Sequence, residues 1–159
     1  MSLRALCVSL LLFALASPVW ADLLHGQFLP PDDAGLREGA LHMQQLIQIT
    51  EYSLVLGSQR HSNQQPIPIT SPSLLRLKGK PLSKGANVSY VLVYFDSDGK
   101  SLKKPSYDTQ QRVLTLHYPA SQLPVILQVL REQTLYCQFL SYANGHVWAD
   151  LHTGAIRTR

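Results

Sequence analysis

The alternation of apolar and polar residues is clearest in the second half of the chain, where it predicts β-strands. Residues 88–95 (VSYVLVYF) are dense in β-branched and aromatic side chains, which is typical of a buried strand. Residues 112–118 (RVLTLHY) alternate and predict an antiparallel partner for that strand. Two more strands, residues 134–143 and 146–152, are joined by an Asn-Gly dipeptide, the strongest short-range signal of a β-hairpin.

Two stretches with helical spacing precede these two hairpins. In residues 32–54, apolar side chains recur at near-helical intervals after two aspartates that favour the start of a helix. In the second stretch Leu123, Ile126 and Leu130 lie on one apolar stripe, and Pro124 is tolerated in the first turn. The predicted fold class is therefore α+β, an antiparallel sheet built from two hairpins with two helices packed on it, in the order α-ββ-α-ββ.

A segment rich in proline and glutamine separates the first predicted helix from the first predicted hairpin. Residues 57–73 contain Pro66, Pro68 and Pro72, and proline at this density excludes a regular helix. The segment predicts a loop inside a single α+β domain of residues 22–159. A domain of this size buries roughly two-thirds of the surface of its unfolded chain, so its own core is sufficient.

The first 21 residues have the three zones of a cleavable secretory signal peptide. Arg4 gives a positive start, residues 5–16 form an apolar run, and small residues stand at the −3 and −1 positions of a cut after Ala21. The run is shorter than the about 20 residues that a spanning helix needs, and no later stretch reaches that length. We therefore expect a mature chain without a transmembrane segment, exported to the periplasm or the extracellular space.

The exported chain is weakly basic, which limits the classes of partner. Without Arg4 it has 13 Lys and Arg against 10 Asp and Glu, a net charge of +3. Most positive charges are scattered, and the two exceptions are the groups Arg76, Lys78, Lys80, Lys84 and Lys100, Lys103, Lys104. Neither group has interleaved aromatic residues, so we expect no nucleic-acid partner. A solvated face explains both groups, and weak contact with a lipid headgroup or an acidic glycan is the alternative.

The terminal hairpin contains a thiol, an imidazole and a carboxylate, and its register predicts which of these side chains face each other. Removal of the leader leaves Cys137 as the only cysteine, which excludes an internal disulfide. A two-residue turn at residues 144–145 places Cys137 directly opposite His152, with Asp150 on the same face. Opposed Cβ atoms lie about 4.5–5.5 Å apart, so the imidazole would lower the pKa of the thiol and the carboxylate would orient the ring.

Three functions are compatible with this pattern. The leading interpretation is a small non-enzymatic protein that binds another protein or an envelope component and needs no cofactor. Its binding surface would be the outer face of the terminal hairpin, through Trp148, Phe139 and His146, with the thiol a buried core residue. The first alternative is a thiol-dependent enzyme that uses Cys137, His152 and Asp150. The second is a small metal-handling protein that binds an ion through Asp150 and His152.

Overall fold

The computed structural model describes His25 and residues 28–57, 73–99 and 101–154. The predicted signal peptide, residues 1–21, lies outside the described residues, and so does most of the predicted loop at 57–73. Within the described ranges no helix combines the length and the apolar character that crossing a membrane requires.

Seven β-strands and one α-helix make up the regular structure of the described chain. The strands are β1 (Leu41–Leu56), β2 (Ser73–Pro81), β3 (Tyr90–Asp96), β4 (Ser106–Asp108), β5 (Val113–Pro119), β6 (Leu135–Tyr142) and β7 (Val147–Thr153). The α-helix α1 (Leu123–Glu132) connects β5 with β6. Short 3-10 helices, Pro31–Arg37 and Ala120–Gln122, precede β1 and α1.

All seven strands belong to one mixed sheet in the order β4-β5-β3-β2-β1-β6-β7. Neighbouring strands are antiparallel except β3 and β5, which are parallel. The sheet curls so strongly that the Tyr107 ring of β4, at one edge, lies with its centroid 6.2 Å from that of Phe139 in β6. The curl gives the sheet an inner face, which holds the core, and an outer face.

The core fills the inner face, and α1 closes it. Ile126 is the buried residue of the helix, and the apolar side chains of α1 on either side of it pack against the same cluster. The alternation of each strand sends every second apolar residue inward. The buried inner cluster consists of Ile47, Ile49, Leu75, Leu77, Val91, Val93, Phe95, Leu114, Leu116, Ile126, Leu135, Cys137 and Phe139.

The prediction of two helices packed on an antiparallel sheet of two hairpins is wrong, and the first reason is β1. Residues 41–56, most of which belong to the helix predicted over residues 32–54, form the longest strand of the sheet. Leu46 and Ile47 point to opposite faces and are both buried, so strict alternation is absent from the sequence. The β1–β2 register then shifts between Ile49 and Glu51, so the apolar spacing changes from two to three and resembles a helical one.

The second reason concerns the first predicted hairpin. Its two strands are β3 and β5, and they are parallel neighbours. The chain reverses twice between them because residues 106–108 form the short edge strand β4, which pairs antiparallel with β5. The predictions of strands at β3, β5, β6 and β7 and of a helix at α1 are confirmed.

Candidate functional site

The terminal hairpin turns through three residues instead of the two that the sequence predicts. The Gly145 N–H donates to the Tyr142 carbonyl at 2.9 Å, and the Tyr142 N–H donates to the His146 carbonyl at 2.9 Å. Gly145 has a φ of +82°, in the left-handed region that glycine adopts without strain. The four-residue turn 142–145 therefore ends on a left-handed glycine, which is typical of a three-residue hairpin connection.

The additional turn residue shifts the register of the hairpin by one position. Cys137 pairs with Leu151, and His152 pairs with Tyr136. Because a one-residue slip moves every side chain of a strand to the other face, the predicted pair of Cys137 and His152 does not form. Cys137 lies on the inner face, and His152 and Asp150 lie on the outer face.

Burial makes Cys137 a core residue. The side chain is fully buried, and desolvation, with a further contribution from the charge of Asp150, raises the pKa of the thiol well above 9.0. A buried thiol without a positive partner is inert. Phe139 is 4% exposed on the same inner face, so neither residue contributes to a binding surface.

The free energy of unfolding is expected to fall above about pH 9, because burial also raises the pKa of Tyr118 above its ordinary 10.0. The folded chain then keeps two protons, on Cys137 and Tyr118, that the unfolded chain releases. The slope approaches about 1.4 kcal/mol per pH unit for each group. Urea unfolding between about pH 8 and 11 measures this slope. Tyr118→Phe should reduce the slope by the contribution of one group. Stability that does not change with pH over this range would contradict the assignment.

A chain of four polar side chains runs along the outer face of the terminal hairpin. The Trp148 Nε1–H donates to Asp150 Oδ2 at 2.6 Å, and Asp150 Oδ1 accepts a hydrogen bond from His152 Nδ1. His152 Nε2 lies 2.7 Å from His25 Nδ1. Because a carboxylate accepts hydrogen bonds, His152 donates to Asp150 from Nδ1, and one nitrogen of the His152–His25 contact donates to the other.

Aromatic rings enclose this chain. Phe28 stacks on the His152 ring with centroids 4.4 Å apart, and Tyr136 stacks on it at 5.7 Å. His25 and His152 are only 7% and 8% exposed. A histidine oriented by a carboxylate is the arrangement of many general bases, but here His25 occupies the place of a nucleophile or a metal ion. Asp150 and His152 form a hydrogen bond with each other. Among the described residues, no group of three potential ligands could hold a metal ion.

A second set of contacts joins the chain after Phe28 to the turn of the hairpin. His146 Nε2 lies 3.1 Å from Asp33 Oδ2, and Asp33 forms an ion pair with Arg37 at 2.6 Å. The Asn144 side-chain amide donates to the Leu36 carbonyl at 2.8 Å. We call His25 and residues 28–37 the N-terminal strap. It lies against the surface that the sequence predicts to be free for binding: His146 contacts it directly, and Trp148 is linked to it through Asp150 and His152.

The other half of the outer face, on β2 and β3, has a different character. Arg76, Lys78 and Lys80 alternate along β2, so all three point outward, and all three are exposed. The Arg76 guanidinium lies 4.0 Å above the centroid of the Tyr90 ring on β3. Tyr94, further along β3, stacks on His117 of β5 with centroids 5.4 Å apart.

We call these five residues, Arg76, Lys78, Lys80, Tyr90 and Tyr94, the basic-aromatic face. It places positive charge and half-buried aromatic rings side by side on a regular strand surface. The sequence shows the positive charges as a group, but the tyrosines come from the neighbouring strand, so the pairing of cations with rings is not visible along the chain. The signal that was available is the period of two in residues 76–80, which aligns the charges on one side of a strand.

The fold and this face together define a small sheet-rich protein with a cationic surface on the outer side of a curled sheet. Comparison with family models, with curated proteins and with solved structures finds no match.

Proposed function

We propose that this chain is an exported, non-enzymatic binding protein, and that its basic-aromatic face binds an acidic polysaccharide of the cell envelope. The observation that carries the proposal is the alignment of three exposed cations on β2 beside the tyrosines of β3. Alternate residues of a strand are about 6.8 Å apart, so the cations form a row that suits an extended ligand with repeated charges. The signal peptide predicted at residues 1–21 supports export.

The residue types of this face suit the chemistry of an acidic sugar. Arginine binds a carboxylate through two parallel hydrogen bonds, and Tyr90 keeps the Arg76 guanidinium in place beneath the ligand. A tyrosine ring offers an apolar surface to the C–H face of a sugar and a hydroxyl to its polar edge. An exposed ion pair contributes only about 0–1 kcal/mol, so useful affinity requires several contacts along a polymer.

The strongest test removes two charges from the face and compares the result with the loss of two charges elsewhere. Arg76 and Lys80 are the best choice, because Lys78 pairs in register with a residue of opposite charge, Glu51 on β1. The matched control is Lys103→Gln with Lys104→Gln, two exposed lysines that precede β4. Calorimetric titration of the mature chain with polygalacturonate should show about tenfold weaker binding for Arg76→Gln with Lys80→Gln.

The control pair should change the dissociation constant less than twofold, and a neutral dextran should not bind. Equal losses in both double variants would mean attraction to net charge alone, and would overturn the assignment of the face. Binding to anionic lipid vesicles with no binding to the polysaccharide would also overturn it.

A further inference from the structure

The second half of β1 has one unpaired edge within the described chain. β1 pairs with β6 through residues 41–48 and with β2 through residues 47–56. Residues 50–56 therefore have β2 on one side, and no described strand pairs with them on the other. A strand edge of this kind exposes a row of N–H and C=O groups that accept another strand.

The other two edges of the sheet are protected in the ways that monomeric proteins use. β4 has only three residues and follows Lys103, Lys104 and Pro105. β7 lies beside α1, and the two line a shallow cleft together with Tyr118.

Among the described residues, nothing protects the free edge of β1 in these ways. Residues 50–56 (TEYSLVL) contain no lysine and no proline, and their single charge is Glu51. Their apolar side chains are unusually accessible, with Tyr52, Val55 and Leu56 exposed by 44%, 59% and 68%. Long, apolar edges with little charge associate with other strands unless something covers them.

We propose that a second copy of this chain covers the edge, and that the two β1 strands pair antiparallel about a twofold axis at Ser53. This register opposes Thr50 with Leu56, Glu51 with Val55 and Tyr52 with Leu54, so no two charges face each other. An axis at Glu51 would instead oppose two carboxylates. Opposed residues share a face of the sheet, so the exposed ring of Tyr52 packs on Leu54 of the partner.

The dimer has a consequence for the basic-aromatic face, which rests on the proposed function. A twofold axis perpendicular to the sheet keeps both outer faces on the same side. The two β2 strands are then three strand spacings apart, or about 14 Å, so one polymer can contact both rows of cations.

Sedimentation of the mature chain without any ligand tests the dimer independently of the polysaccharide. An edge contact of this size buries less surface than the about 1,200 Å² of a standard interface, so we expect a dissociation constant in the micromolar range. The average mass should rise from one chain to two as the concentration increases through that range. A chain that stays monomeric at about 0.5 mM would overturn the proposal.

The position of the axis has its own test, because Ser53 faces its own copy. Ser53→Lys opposes two positive charges and Ser53→Glu opposes two negative charges, so each variant alone should be monomeric. An equal mixture of the two variants should recover the dimer. Ser106→Lys, at an exposed position of the β4 edge, is the matched control and should dimerise like the original chain. Dimers in either single variant, or a mixture that stays monomeric, would overturn the pairing at Ser53.

Discussion

Replacement of Gly79 by alanine is expected to lower the free energy of unfolding by about 3 kcal/mol. Gly79 pairs with Ile49 at the point where the β1–β2 register shifts, and the two backbones approach closely there. A Cβ atom at position 79 would lie 2.3 Å from the carbonyl oxygen of Gln48 and 2.9 Å from its carbonyl carbon. These atoms belong to the backbone, so no side-chain rotation relieves the overlap, and the central strands must separate.

Gly35→Ala is the matched control for this substitution. Gly35 lies in the 3-10 helix Pro31–Arg37, and a Cβ atom added there has nothing within 4 Å. Its effect on the free energy of unfolding should stay within about 0.5 kcal/mol. Urea unfolding of both variants measures the difference. Equal stabilities of the two variants would show that β1 and β2 are not held together at Gly79.

The same register shift explains why the sequence predicts the wrong fold class. The spacing of apolar residues distinguishes a strand from a helix only where the strand alternates regularly. β1 is buried on both faces near Leu46 and then changes register near Glu51, so both departures occur within one strand. The strands β3 and β5 were predictable from sequence, since β3 is dense in β-branched and aromatic residues and the sequence of β5 alternates, but their parallel pairing depends on β4, which has only three residues.

The candidate site, like the fold, was predictable from sequence only in part. The Asn-Gly dipeptide predicts the terminal hairpin correctly, but the length of its turn decides which residues share a face. One additional residue in the turn separates Cys137 from His152 and leaves Asp150 beside His152. No pattern in the sequence brings His25 to this pair, because the contact joins residues 127 positions apart. Long-range contacts of single side chains have no periodicity from which to predict them.

The network that holds the N-terminal strap leads to the second large effect. His152→Ala is expected to lower the free energy of unfolding by about 3 kcal/mol. The substitution removes one of the two hydrogen-bond partners of the Asp150 carboxylate, whose side chain is only 13% exposed, and also the hydrogen bond to His25. It removes the ring on which Phe28 stacks as well. Urea unfolding measures the loss, and the amides of residues 28–37 should exchange with solvent faster than those of β6.

His42→Ala is the control, since His42 is an exposed histidine of β1, and it should change stability by no more than about 0.5 kcal/mol. A double-mutant cycle with His25→Ala then separates the contact between the two histidines from the other effects of each substitution. Because the rings are buried and bonded at 2.7 Å, the coupling should be about 1–2 kcal/mol. A coupling near zero would mean that His25 does not anchor the strap, and that the contacts of Asp33 with His146 and of Leu36 with Asn144 hold it alone.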